Sequence, residues 1–216
     1  MKDNANSISA RPLFPLFETY LSLVKQEVNG LSKSEVNWTS AKWSWSGWSI
    51  KDNVSHVTSH LFRWYILRWG SKLFPKELPF ADELHDLAGL PSRRLSKAKW
   101  DEMDAILSKL EQSLELIRQI LENETETSIL TKNIIQGGPG FYGLISNRYP
   151  GTQYQDPEFP SIWHLTLAGT FHHSEGELTT HLFNVQRLKL AQGFESQVTL
   201  PRIGYWTLPN WDTTIP

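Results

Sequence analysis

The densest set of chemistry-bearing side chains lies in the last third of the chain. His173, Glu177 and His181 stand at i, i+4 and i+8. On a helix they form one line along a face. Two such groups one turn apart can share a divalent ion, which then takes a third ligand from elsewhere in the fold. His56 is the natural candidate, with His60 one turn beyond it in another helical stretch. Three N/O ligands, with water in the open positions, suit Zn²⁺, Ni²⁺, Mn²⁺ or Fe²⁺, and the residue types do not choose among them. A plainer reading competes. Glu177 and His181 can form a surface ion pair worth roughly a few tenths of a kcal/mol. His172 and His173 point about 100° apart, so they cannot serve one site equally.

Other chemistries find little support. The chain has no cysteine, which removes disulfides, thiolate zinc sites and Cys nucleophiles. Gly137-Gly138-Pro139-Gly140 invites a phosphate-loop reading. No Gly-Lys-Ser/Thr follows it, and Rossmann spacing is lacking. Neither a Gly-x-Ser-x-Gly elbow nor a His-Glu-x-x-His helix occurs. The carboxylates are scattered, so no glycosidase-type pair stands out.

Four stretches must position the histidines. The first, 16–30, repeats Phe17, Tyr20, Leu21, Val24 and Val28 at mostly helical spacing and ends at Gly30. A Trp-rich loop follows, with Trp38, Trp43, Trp45 and Trp48. The second stretch starts at Ser49, whose hydroxyl can cap the first turn, with Asp52 in the capping-box position. Its inner face is Ile50, Val54, Val57, Leu61 and Trp64, and Gly70 marks its expected end. Residues 71–95 read as a connection with a short helical turn at 82–87. The third stretch, 96–122, has the clearest period, from Trp100 through Leu107, Leu114 and Leu121. It reads as structural. Residues 123–160 read as irregular, a lid or pocket wall. The fourth helix is expected over 161–192, with Gly193 as its stop. The tail, 194–216, carries Tyr205, Trp206 and Trp211 among prolines. It offers two roles, packing back on the bundle as extended chain or self-association into a homodimer.

Length and charge frame this reading. With 216 residues, one domain spanning 1–216 is expected, its core at about 13–193. The net charge is −2, so no basic excess points to nucleic acid. Mean hydropathy is −0.38, and no apolar run suits a bilayer. The N-terminal segment, Met1 to Arg11, is polar and lacks an apolar core, so no signal peptide is expected. A cytoplasmic location follows as an expectation, and the sequons at Asn37, Asn53 and Asn123 would then be idle. Ten tryptophans serve core and loop packing or line a ligand pocket.

The order of these features resembles the DinB-like family of four-helix bundles over roughly residues 13–193. The most specific part is Gly47-Trp48-Ser49-Ile50, leading to Asp52-Asn53-Val54-Ser55-His56. It is similar to the family's Trp-Ser-Ile entry to helix two, with a metal-ligand histidine two turns on. The resemblance makes His56 the first ligand. The family's second motif is a pair of ligands at i, i+4 on helix four, followed by a segment like Arg-Gly-Glu-Leu. Glu175-Gly176-Glu177-Leu178 looks like that segment, and ungapped alignment puts the ligand positions at Thr170 and Ser174. Alignment on His172-His173 instead pairs His173 with Gly169. Neither pair coordinates well. Either the site has moved along the helix, to His173 with Glu177 or Glu177 with His181, or it has been lost. The resemblance implies an all-α four-helix bundle with long loops and an extended tail. It also implies a divalent-metal-dependent transferase or hydrolase acting on a small molecule or thiol adduct. The alternative is a non-catalytic bundle that binds a ligand or dimerises.

Overall fold

The computed structural model describes residues 8–136 and 147–216. Four long helices carry it: α1 (Leu16–Val28), α2 (Ile50–Phe62), α3 (Met103–Asn123) and α4 (Leu167–Ala191). Helix α2 packs against α3 and α4, and α1 packs against the same two. The order around the bundle is therefore α1, α3, α2, α4. Helices α1 and α2, and likewise α3 and α4, lie across a diagonal, whereas α2 and α3 are neighbours. The core is built from the stripes read in the sequence: Phe17, Tyr20 and Val24 of α1, Val54, Val57 and Leu61 of α2, and Leu110, Leu114 and Ile117 of α3.

Ser49 caps α2 as expected. Its hydroxyl accepts from the Asp52 amide at 3.0 Å, and the Asp52 carboxylate accepts from the Ser49 amide at 3.2 Å. Every residue of α2 except Asp52 is buried. The helix does not stop at Gly70. Beyond Phe62 it widens into a π-turn over Arg63–Arg68, and Gly70–Leu73 adds a further helical turn. Leu78 presses so closely on Gly70 that a Cβ there would meet its Cδ1 at 2.4 Å. Gly70 thus serves close packing. Helix α3 starts at Met103, later than expected, and Trp100 packs half-buried against the core ahead of it.

The stretch expected to be irregular contains structure. A short helix, Glu126–Thr131, leads into β1 (Asn133–Gln136). Strands β2 (Gln153–Gln155) and β3 (Trp163–Thr166) complete an antiparallel sheet of order β1-β3-β2. Residues 161–166 therefore do not extend the fourth helix. Ile134 pairs with Leu165, Tyr154 pairs with His164, and the β-branched Thr166 ends the strand as N-cap of α4. Its hydroxyl accepts from the Gly169 amide at 3.0 Å. The fold is mostly helical with this small sheet added. Gly137-Gly138-Pro139-Gly140 lies outside the described residues.

The tail packs back on the bundle, with turns and a 3-10 turn at Tyr205–Thr207 among its extended stretches. Glu27, fully buried on α1, accepts from Lys189 Nζ at 2.6 Å, from Gln186 at 2.7 Å, and from the amides of Gln197 and Val198 at 3.0 Å. The Arg187 guanidinium lies over Trp45 at 4.4 Å and donates to the Asp212 carbonyl at 2.8 Å. Trp45 Nε1 donates to Thr214 at 3.3 Å, joining the Trp loop to the tail. Among the described residues, no helix is long and apolar enough to cross a membrane.

Candidate metal centre

Helices α2 and α4 lie side by side, and their facing polar residues build one cluster. His56 comes from α2, and Glu177 and His181 come from successive turns of α4. Their ligand atoms all lie within 4.8 Å of one another. His56 Nε2 is 3.5 Å from Glu177 Oε2, and His181 Nε2 is 3.4 Å from the same oxygen. The two rings tilt toward each other with centroids 4.4 Å apart. His56 is buried, whereas Glu177 and His181 are half-buried and retain a small share of solvent contact.

The outer contacts determine which nitrogens carry protons. His56 Nδ1 is 2.8 Å from the Arg93 carbonyl, which can only accept. The proton therefore sits on Nδ1, and Nε2 of the neutral ring is a bare lone pair. His181 Nδ1 is 2.7 Å from Asn53 Oδ1. The Asn53 amide cannot be turned over, because its Nδ2 donates to the Ser49 carbonyl at 2.8 Å. Again Nδ1 donates, and Nε2 is the atom turned toward Glu177. Arg93 gives up its carbonyl from a left-handed backbone conformation, with φ of 58°. For a side chain of this size that geometry costs about 1–2 kcal/mol, and the surrounding turn must hold it.

Two imidazole Nε2 atoms thus face one carboxylate oxygen. Distances of 3.4 and 3.5 Å are too long for charge-assisted hydrogen bonds, which run about 2.7–2.9 Å. They match the edges of a coordination tetrahedron, roughly 3.3–3.5 Å for ligands about 2.0–2.1 Å from a metal. Histidines whose other nitrogen is tied to a carbonyl or amide oxygen are the usual metal-ligand arrangement. The donor set fits a divalent cation. The charges agree with this. Burial, opposed by Glu177, lowers His56 to about 4, so the ring is neutral at pH 7. Burial would raise the Glu177 carboxyl, but His181 and His56, with the fields of His173 and His60, hold it well below the usual carboxylate range.

His173 is not among the three. It lies one turn before Glu177, buried, with its Nδ1 against the Tyr205 hydroxyl. Its ring packs on His60 at 4.9 Å and on Trp64 at 5.0 Å. His60 Nε2 meets Ser174 Oγ at 3.1 Å, and Tyr65 donates to the same oxygen at 3.2 Å. This second polar group adjoins the first, His56 and His60 being 6.5 Å apart by ring centroid. Thr170 and Ser174, the positions implied by the ungapped alignment, are tied up in interior hydrogen bonds. Thr170 accepts from Trp69 Nε1 at 2.9 Å. The helix-four pair that converges with His56 is Glu177 with His181.

Two contributors escaped the sequence reading, Asn53 and the Arg93 carbonyl, whereas Trp48 belongs to the Trp loop expected to wall the site. Trp48 is half-buried and covers the cluster, its ring 5.0 Å from His56 and stacked 5.9 Å from His181. Asn53 did leave a signal, since it lies three residues before His56 on the same face of α2. If it orients His181, Asn53→Leu should weaken metal binding about 10–100-fold, the usual loss for an outer-shell partner, without unfolding the protein. Metal titration of the purified variant measures this. Unchanged affinity would remove Asn53 from the site.

The architecture has a solved counterpart. YfiT from Bacillus subtilis, described as a probable metal-dependent hydrolase with an unusual four-helix bundle topology, superimposes with a TM-score of 0.50. The match covers 89% of this chain and 94% of that one. This chain has the YfiT fold. Sequence identity is 16%, so the likeness is one of fold. No family model and no curated protein matches the sequence. The bundle sets α2 beside α4, where the three ligand atoms meet.

Proposed function

We propose that the chain is a divalent-metal-dependent hydrolase or transferase acting on a small molecule between α2 and α4. The observation that carries this is the pair of imidazoles with Nδ1 engaged by oxygen acceptors and Nε2 atoms converging on Glu177. His56, Glu177 and His181 would hold a divalent cation, which would supply Lewis-acid lowering of the pKa of a water or thiol. Trp48 excludes solvent from one side, while the partial exposure of Glu177 and His181 leaves an approach for a small substrate. YfiT's description favours hydrolysis, and the DinB-like resemblance brings thiol transfer as the companion chemistry.

The test is metal content. Untagged wild-type protein is expected to carry one divalent transition metal per chain after incubation with Zn²⁺, Ni²⁺, Mn²⁺ or Fe²⁺ and desalting. His56→Ala should lose it, together with any metal-dependent turnover of ester, amide and thiol-adduct substrates. Wild type that takes up none of these ions leaves the non-catalytic bundle as the reading.

A further inference from the structure

Helix α4 has a second polar group on its other side. Glu175 precedes Glu177 by two residues, a rotation of about 200°, and so faces α1 and the tail. There it meets a cavity of about 750 Å³, within the roughly 300–1,000 Å³ range of small-molecule sites. Leu13, Leu16 and Leu23 line it from the α1 side, and Leu200 and Ile203 from the tail. Glu175 is only 6% exposed. Among the described residues, its nearest cationic partner is His172 Nδ1 at 3.5 Å, beyond charge-assisted hydrogen-bond range of about 2.7–2.9 Å. His172 Nδ1 itself has no hydrogen-bond partner. Its ring is fixed flat against Tyr149, with centroids 3.6 Å apart and planes 3° from parallel, and it also contacts Phe14. It therefore cannot easily close the gap.

The geometry points to a binding site for a small apolar amine, its hydrocarbon part on the leucines and its ammonium on Glu175. Glu175 is held by the long His172 contact, and an ammonium group would supply three donors. A hydrocarbon carboxylate would meet like charge, and an alcohol would supply one neutral donor. The site is independent of the metal centre.

Calorimetric titration of the full chain with hexylamine, hexanol and hexanoate tests the proposal. Hexylamine is expected to bind one per chain, about tenfold or more tighter than the other two, as one hydrogen bond to a charged group implies. Glu175→Gln should erase that preference while hexanol binding persists. Leu200→Trp should weaken hexylamine and hexanol together by filling the cavity. His56→Ala should change neither, which keeps this result separate from the metal reading. Absence of hexylamine binding, a preference below about tenfold, or an undiminished preference in Glu175→Gln overturns it. If Glu175→Gln does not fold, the wild-type preference and Leu200→Trp decide.

Discussion

Glu177→Gln is expected to abolish metal retention and also to lower the stability of the metal-free protein, because His181 and His56 favour the ionised carboxylate there. Without a metal, the wild-type carboxylate faces two imidazole nitrogens at 3.4 and 3.5 Å. Its burial costs solvation, and His181 and His56 more than offset that cost by holding the carboxyl low. A glutamine of the same shape removes the charge. Its amide can donate to one imidazole nitrogen, but only as a neutral hydrogen bond worth about 1 kcal/mol. With metal present the difference grows. The variant lacks the only anionic ligand and should bind more than about 100-fold weaker, since outer-shell changes alone cost 10–100-fold. Denaturant unfolding with chelator and with metal separates the two effects. At a metal concentration of about 100 times Kd, wild type gains about 2.7 kcal/mol, and the variant should gain nothing. Equal metal-dependent stabilisation of both proteins would show that Glu177 is not a ligand.

The contrast between helices explains what the sequence could reveal. Helices α1 and α3 each bury one stripe against a solvated face, so Phe17, Tyr20 and Val24, or Leu110, Leu114 and Ile117, stand out by period. The start of α2 was legible because Ser49 and Asp52 make a local hydrogen-bonded cap. Helix α4 is different. It is packed by α1, α2, the sheet and the tail, so buried residues occur all round it and periodicity is lost. Its true start was hidden because the partners of Trp163–Thr166 are the short polar strands Asn133–Gln136 and Gln153–Gln155. The site shows the same division. The i, i+4 spacing identified Glu177 with His181, and His56 followed from its place on α2. The spacing offered His173 with Glu177 equally well, because both lie on one line of α4. What separates them is Tyr205, supplied by the tail to His173, and Asn53, supplied by α2 to His181. Those partners are 32 and 128 residues away in sequence. The Arg93 carbonyl is a backbone atom, and no residue type announces it.

Lowering the pH from 7 to 5 is expected to cost the metal-free protein about 4 kcal/mol of stability, from two buried histidines. Burial lowers both His56 and His173 to about 4, with Glu177 opposing in each case. In the unfolded chain each titrates near 6.5. Between these values the unfolded state binds more protons than the folded one, so stability falls as pH falls from about 6.5 toward 4. Below about 4 the two histidines add no further loss. Each contributes roughly 2 kcal/mol between pH 7 and 5. His60, lowered in the same direction chiefly by burial, steepens the fall. Glu177, held low, adds to it only below the unfolded carboxyl value near 4.3. Glu175, raised by burial, works in the opposite sense above that value. Against a typical total of 5–15 kcal/mol, the loss is large enough to shift urea midpoints plainly. His173→Gln removes one histidine outside the metal set and should flatten the fall by about 2 kcal/mol. Urea unfolding with chelator at pH 7, 6 and 5, for both proteins, measures this. Equal wild-type midpoints at pH 7 and 5 would mean that His56 and His173 are not held neutral by burial.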